Sequence, residues 1–148
     1  MWKVRRAIWC YNLSMPLLWN DDFSIGVKII DEQHKQFITV LSKLIDSVGK
    51  PESDEEIEKV FSGIDKYLTL HFKTEEKYFK EFNYKGAKEH IKDHVSFKKK
   101  IAGIKQEYKK DKILSSFNLA NFLEDWLVTH INGMDRKYVL CFHEHGLY

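Results

Sequence analysis

The stretch GAKEHIKDHV, residues 86–95, sets two histidines four apart within a helical apolar pattern. Residues at that spacing share one helical face. The series through them, Ala87, His90, His94, Phe97, Ile101, Ile104 and Tyr108, steps by three and four, so both imidazoles occupy positions that face a core. Buried polar rings persist only when they have partners. A chain of this kind must close a helical core around groups that need something to bind.

The same stepping recurs. Ile30, His34, Phe37, Leu41, Leu44 and Val48 carry it before Gly49-Lys50-Pro51, the first clear break. Ser53 and Glu56 then read as a capping box. The second series is Ile57, Val60, Ile64, Tyr67, His71, Glu75, Tyr78 and Phe82. Asn83-Tyr84-Lys85-Gly86 reads as a turn and Lys109 to Ser116 as a polar third connection. Leu119, Leu123, Trp126, His130 and Tyr138 mark a fourth helix that ends near Gly146. Only two prolines and seven glycines interrupt the 148 residues, and strand-like alternation is absent. Four helices of about 17 to 28 residues on short loops predict an all-α fold, an up-down-up-down antiparallel four-helix bundle with an N-terminal arm.

Residues 15–148 are expected to form that bundle. Residues 1–14, MWKVRRAIWCYNLS, read as a disordered and dispensable extension. Lys3, Arg5 and Arg6 before AIWCY suggest a signal peptide, but the apolar part is short, Asn12 and Ser14 interrupt it, and no cleavage site follows. No apolar run approaches the ~20 residues needed to span a bilayer, so membrane insertion is not expected. A net charge of +2 is mild, and Lys98-Lys99-Lys100 with Lys105, Lys109, Lys110 and Lys112 read as a solvated face, not a nucleic-acid surface. Cys10 and Cys141 are far apart and form no metal spacing, which suits a reduced, cytoplasmic setting.

Each inward stripe carries histidine or carboxylate: His34; His71 and Glu75; His90 and His94; His130, with Asp135 five residues on. One such histidine is ordinarily a hydrogen-bonded core residue. Seven polar groups on four facing stripes are a different matter. Left unpaired, each would cost up to several kcal/mol, against a total stability of about 5–15 kcal/mol. A bound cation resolves the conflict by turning them into ligands. One zinc takes only about four. The H-E-x-x-H signature is missing because Ile91, not glutamate, follows His90. No histidine has glutamate three residues before it, so ferritin-like Glu-x-x-His pairs are missing too. Histidine-rich ligation leaves iron, copper, nickel or zinc open.

The spacings H-x3-E at His71/Glu75, H-x3-H at His90/His94 and H-x4-D at His130/Asp135, after DEQH at 31–34, resemble the hemerythrin family. The likeness runs from Trp19 through Tyr138, includes WNDDFSIGVKIIDEQHK, HFKTEE and WLVTHINGMD, and is greatest to the single-domain prokaryotic members. It implies two non-heme iron ions bridged by Glu75, Asp135 and an oxo or hydroxo group. His90, His94 and His130 would hold one iron, His34 and His71 the other. Octahedral coordination then leaves one place open, on the iron with two histidines.

The family's oxygen pocket corresponds to Phe72, Trp126, Leu127 and Ile131, an apolar wall with no acid, base or polar anchor. The resemblance thus implies reversible dioxygen binding for storage, transport or delivery, without catalysis, with a protein partner receiving the gas. One alternative is an oxygen or redox sensor acting through a separate partner. Another is a di-iron oxidase, peroxidase or nitric-oxide-handling protein, which would need a proton donor or substrate groove that these four residues do not supply. His143 and His145 match no motif and read as exposed tail residues. One point of geometry stays open. A five-residue step turns about 140° on a regular helix, so Asp135 joins His130 either through a π-type turn near Gly133 or by reaching in from the side.

Overall fold

The computed structural model describes residues 17–48 and 54–148. The extension 1–14, Pro16, the Gly49-Lys50-Pro51 break and Ser53 of the capping box lie outside the described residues. Four long helical rods follow one another: α1 (Lys28–Ser47), α2 (Asp54–Glu81), α3 (Ala87–Tyr108), and a last rod made of α4 (Lys112–His130), a π-helical turn (Ile131–Asp135) and α5 (Arg136–Glu144). Helix α1 packs on α2 and α4, and α3 packs on α4 and α2, which closes the antiparallel four-helix bundle. No helix among the described residues is long and apolar enough to cross a membrane.

The stepped series become the core. Ile30, Phe37, Leu41, Leu44, Ile64, Leu119, Leu123 and Tyr138 are fully or almost fully excluded from solvent. Removing that apolar area from water supplies the main drive for the four stripes to meet.

The α2–α3 turn is set by Asn83, whose backbone is left-handed at φ 51°. The Tyr84 N–H donates to the Phe79 carbonyl at 2.9 Å, the six-to-one bond of a Schellman ending, and the two rings pack at 5.1 Å. The third connection is shorter than its polarity predicts. Asp111 accepts a hydrogen bond from the Leu114 N–H at 3.0 Å, so α4 starts at Lys112 and the connection is only Lys109 to Asp111. Ser115 and Ser116 are buried, and the Ser116 hydroxyl returns to the Lys112 carbonyl at 2.8 Å, which makes them compatible with a helix.

The N-terminal arm is tied to both ends of the chain. Asp31 receives the Ser24 hydroxyl at 2.6 Å and the Ile25 N–H at 2.9 Å, and Arg136 donates to the Asp22 carbonyl at 2.7 Å. Gly26, at φ 73°, offers its carbonyl to His143 at 2.9 Å. His143 is therefore a half-buried clasp for the arm and not the exposed tail residue expected of it. His145 is exposed as expected, stacked on Phe82 at 4.4 Å.

Glu124 gives the fold a pH dependence away from the centre. Burial first, and the neighbouring Asp125 charge second, push its carboxyl up to about 7 from an ordinary 4.5. Between those values the folded chain holds a proton that the unfolded chain has lost, so Glu124 subtracts stability as pH rises through that window. Glu124→Gln should raise the melting midpoint above pH 7 and leave it unchanged below about 4.5. Thermal melts across the window, read by circular dichroism, check this.

Candidate metal centre

The seven inward polar residues meet at one level of the bundle. His34 comes from α1, His71 and Glu75 from α2, His90 and His94 from α3, and His130 and Asp135 from the last rod. His130 is 2% exposed and the other six are fully buried.

The five-residue step is resolved by a π turn. The Arg136 N–H donates to the Ile131 carbonyl five residues back. That extra residue brings Asp135 round to the His130 face, with Oδ1 3.0 Å from His130 Nε2.

Asp135 looks two ways. Its Oδ1 also lies 3.3 Å from His90 Nε2, while Oδ2 lies 3.1 Å from His34 Nε2. Glu75 Oε2 is 2.9 Å from His94 Nε2 and 3.5 Å from both His71 Nε2 and His90 Nε2. Two groups have donor atoms close enough together to hold an ion: Glu75 with His90, His94 and His130, and His71 with Glu75, His130 and Asp135. Glu75 and His130 belong to both, and of these two only the carboxylate has two oxygens to share between ions.

These short distances are mostly not hydrogen bonds. The Nε2 atoms of His34, His71 and His94, Glu75 Oε2 and both Asp135 oxygens are buried without a hydrogen-bond partner. Lone pairs aimed at common points with no proton between them are costly to bury and are what a cation requires. The residues fit a metal.

The back of each imidazole is organised as well. Gln33 Oε1 lies 3.0 Å from His71 Nδ1, Glu76 Oε1 3.1 Å from His94 Nδ1, and Asp93 Oδ2 2.7 Å from His130 Nδ1. Gln33 is fixed in turn by a bond from its amide to the Thr74 hydroxyl at 3.0 Å. An acceptor behind the ring keeps the proton on Nδ1 and turns Nε2 toward the centre. Tyr138 donates its hydroxyl to Glu75 Oε1 at 2.6 Å. Sequence reasoning gave Gln33, Glu76 and Asp93 no role and placed Tyr138 only on the inward series of the fourth helix. The available signal was position: Gln33, Glu76 and Asp93 each adjoin a member of the cluster in the chain, yet each supports the histidine of the next helix.

Electrostatics show what the centre lacks without a cation. Burial opposes the charged form of Glu75, but His71 and the close His90 and His94 rings hold its carboxyl below the usual range. Burial likewise opposes Asp135, and His130, His34 and His90 overcome it. Burial drives His71 down to about 3, so it stays neutral. His130 is also opposed by burial, yet Asp135 and Asp93 lift it to about 10. Two buried anions thus draw positive charge into the core.

Around the cluster the wall is mainly aromatic. Phe72 stacks on His94 with centroids 3.6 Å apart and planes within 4°. Trp126 stacks on His130 at 4.2 Å. Leu127 and Ile131 are buried three residues before and one after His130. The surroundings are not all hydrocarbon, however. Tyr67, one turn before His71, stacks on that ring at 4.8 Å and carries a buried hydroxyl with no partner. The four expected wall residues are thus joined by a phenol that was hidden within an apolar series, and among the four themselves the buried Trp126 Nε1 also has no hydrogen-bond partner, which corrects the expectation of a wall with no polar anchor.

Comparison with known proteins agrees with the geometry. The chain is 31% identical over 125 residues to a bacteriohemerythrin of Stenotrophomonas maltophilia, covering 82% of this chain and 78% of the relative. It is 28% identical to a bacteriohemerythrin of Clostridium acetobutylicum, over 82% of this chain and 98% of that protein. A myohemerythrin of Theromyzon tessulatum is 29% identical over 86% of this chain and 95% of its own. A crystal structure of a hemerythrin point mutant superposes with a TM-score of 0.74 at 26% identity, over 86% of this chain and 98% of that one. The family description "Hemerythrin HHE cation binding domain" matches residues 25–140. The chain belongs to the hemerythrin family.

Proposed function

We propose that this chain binds dioxygen reversibly at a non-heme di-iron centre, for storage, transport or delivery. His90, His94 and His130 would hold one iron and His34 and His71 the other, with Glu75 and Asp135 across both. The observation that carries this reading is the set of buried, unpartnered donor atoms, with the two Asp135 oxygens turned toward opposite ligand groups. When bound, the iron pair supplies two electrons to dioxygen and recovers them on release.

The chain's own residues govern the rest. Gln33, Glu76 and Asp93 orient three imidazoles. Tyr138 holds Glu75 in place. Phe72, Trp126, Leu127 and Ile131 form an oxygen pocket that excludes water and limits proton delivery. Residues 15–148 constitute the functional domain, working in the cytoplasm and handing dioxygen to a protein partner. One observation favours a second reading as a di-iron oxidase, peroxidase or nitric-oxide-handling protein: the unpartnered Tyr67 hydroxyl.

The test is anaerobic reduction followed by oxygen addition under optical observation. Carriage predicts an oxygenated spectrum that forms and disappears over repeated cycles of oxygen addition and removal. Irreversible oxidation in the first cycle would favour the enzyme reading. Elemental analysis should give two irons per chain, because two carboxylates shared among five imidazoles exceed what one ion takes. A single zinc and no iron after iron-replete expression would overturn the centre.

A further inference from the structure

Two buried tyrosines flank the centre, and only one has its hydroxyl engaged. Tyr138 donates to Glu75 Oε1 at 2.6 Å. Tyr67 donates to nothing. Its ring is well held, stacked on Phe37 at 4.0 Å and 20°, stacked on His71 at 4.8 Å and 15°, and edge-on to Phe72 at 6.2 Å. Phenylalanine would make every one of those ring contacts. The hydroxyl is an added polar atom in an enclosed place, where an unmet donor destabilises the fold. Such a group is retained at a cost unless something else satisfies it.

The surroundings identify that partner. Tyr67 adjoins His71, one of the two histidines that would hold the second iron, and Phe72, a wall of the proposed pocket. A phenol keeps its proton at neutral pH, so the hydroxyl can act as a donor. A neutral diatomic gas accepts hydrogen bonds poorly. A ligand that carries or acquires negative charge accepts them well, and charge-assisted bonds are the stronger kind.

We propose, resting on the metal-centre reading above, that the Tyr67 hydroxyl is a hydrogen-bond donor to a small anionic ligand held in the aromatic pocket beside His71. Tyr67 is thereby a selectivity residue. It favours ligands with anionic character over neutral ones of the same size, in a wall whose other unpartnered donor is the buried Trp126 indole N–H.

Azide is the probe, titrated into the full-length, iron-loaded, oxidised protein and followed by its visible charge-transfer band. Tyr67→Phe should load iron as the parent does and bind azide about tenfold more weakly, the effect of one hydrogen bond. The metal-free variant should melt higher than the metal-free parent, because the orphan hydroxyl is gone. Incorporating 3-fluorotyrosine at position 67, a stronger donor of nearly the same shape, should tighten azide binding below neutral pH. Equal azide affinity in the parent and Tyr67→Phe, with iron fully loaded in both, overturns the proposal and leaves the di-iron reading intact. Failure of the parent itself to load iron overturns the reading on which it rests. If Tyr67→Phe does not fold, the fluorinated protein decides alone: unchanged affinity there also overturns the proposal.

Discussion

Glu75→Ala is expected to abolish iron loading and to lower the melting midpoint of protein expressed with iron by on the order of 10 °C. Glu75 Oε2 lies between His71, His90 and His94, at 3.5, 3.5 and 2.9 Å, and this residue belongs to both ion-sized donor groups. Its removal leaves three buried imidazoles without the anion they face and strands the Tyr138 hydroxyl that now donates to Oε1. A ligand present at a thousand times its dissociation constant stabilises the fold by about 4 kcal/mol, and that linkage disappears with the metal. Asp135→Ala should behave alike, because its two oxygens face His90 and His130 on one side and His34 on the other. Iron analysis and calorimetry on the same preparations make the check. Full loading with an unchanged midpoint in either variant would overturn the bridging role proposed for that carboxylate.

Leu127→Ala should keep all seven ligands and a full iron complement, yet lose its oxygenated form faster than the parent. Leu127 is fully buried on the turn before His130, and a helical side chain covers the turn on its N-terminal side. Truncation opens a cavity at a cost of roughly 2–5 kcal/mol, so a lower melting midpoint is part of the expected result. The functional consequence is separate: space beside the bound ligand admits water, which brings protons and hastens irreversible oxidation. Stopped-flow decay of the oxygenated absorption in parent and variant is the measurement. Decay that is unchanged or slower would make Leu127 plain core and remove the main support for a protective oxygen pocket.

The bundle was legible because its signal is local. Apolar residues stepping by three and four define an inward stripe whatever the stripe later meets. The same arithmetic placed His34, His71, Glu75, His90, His94 and His130 in the interior, where the structure has them. Asp135 was harder, because its spacing from His130 breaks the helical period. Either a π turn or a sideways reach satisfied the residues, and the π turn is what forms. The connection after α3 was read too long because its lysines and serines look like loop. Capping by Asp111 decided otherwise, and a cap is recognised only once the helix it starts is placed.

The residues behind the ligands mark the limit of sequence reading. Gln33, Glu76 and Asp93 stand one position from a ligand, so on a single helix they fall beside the inward stripe and resemble edge or surface residues. Each becomes meaningful only when the neighbouring helix brings its histidine within 2.7 to 3.1 Å. Tyr67 is the converse case: its place in an apolar series made it core, and nothing in the chain revealed that its hydroxyl would find no partner there. By itself, then, the sequence determined which faces turn inward and which ligand-type side chains they carry, because periodicity along one helix is a one-dimensional property. The tertiary structure decided which acceptor backs which imidazole, how the last rod loosens to bring Asp135 in, and which polar atoms remain unmet. Those depend on distances between helices, and residues far apart in the chain come within hydrogen-bond range only through packing.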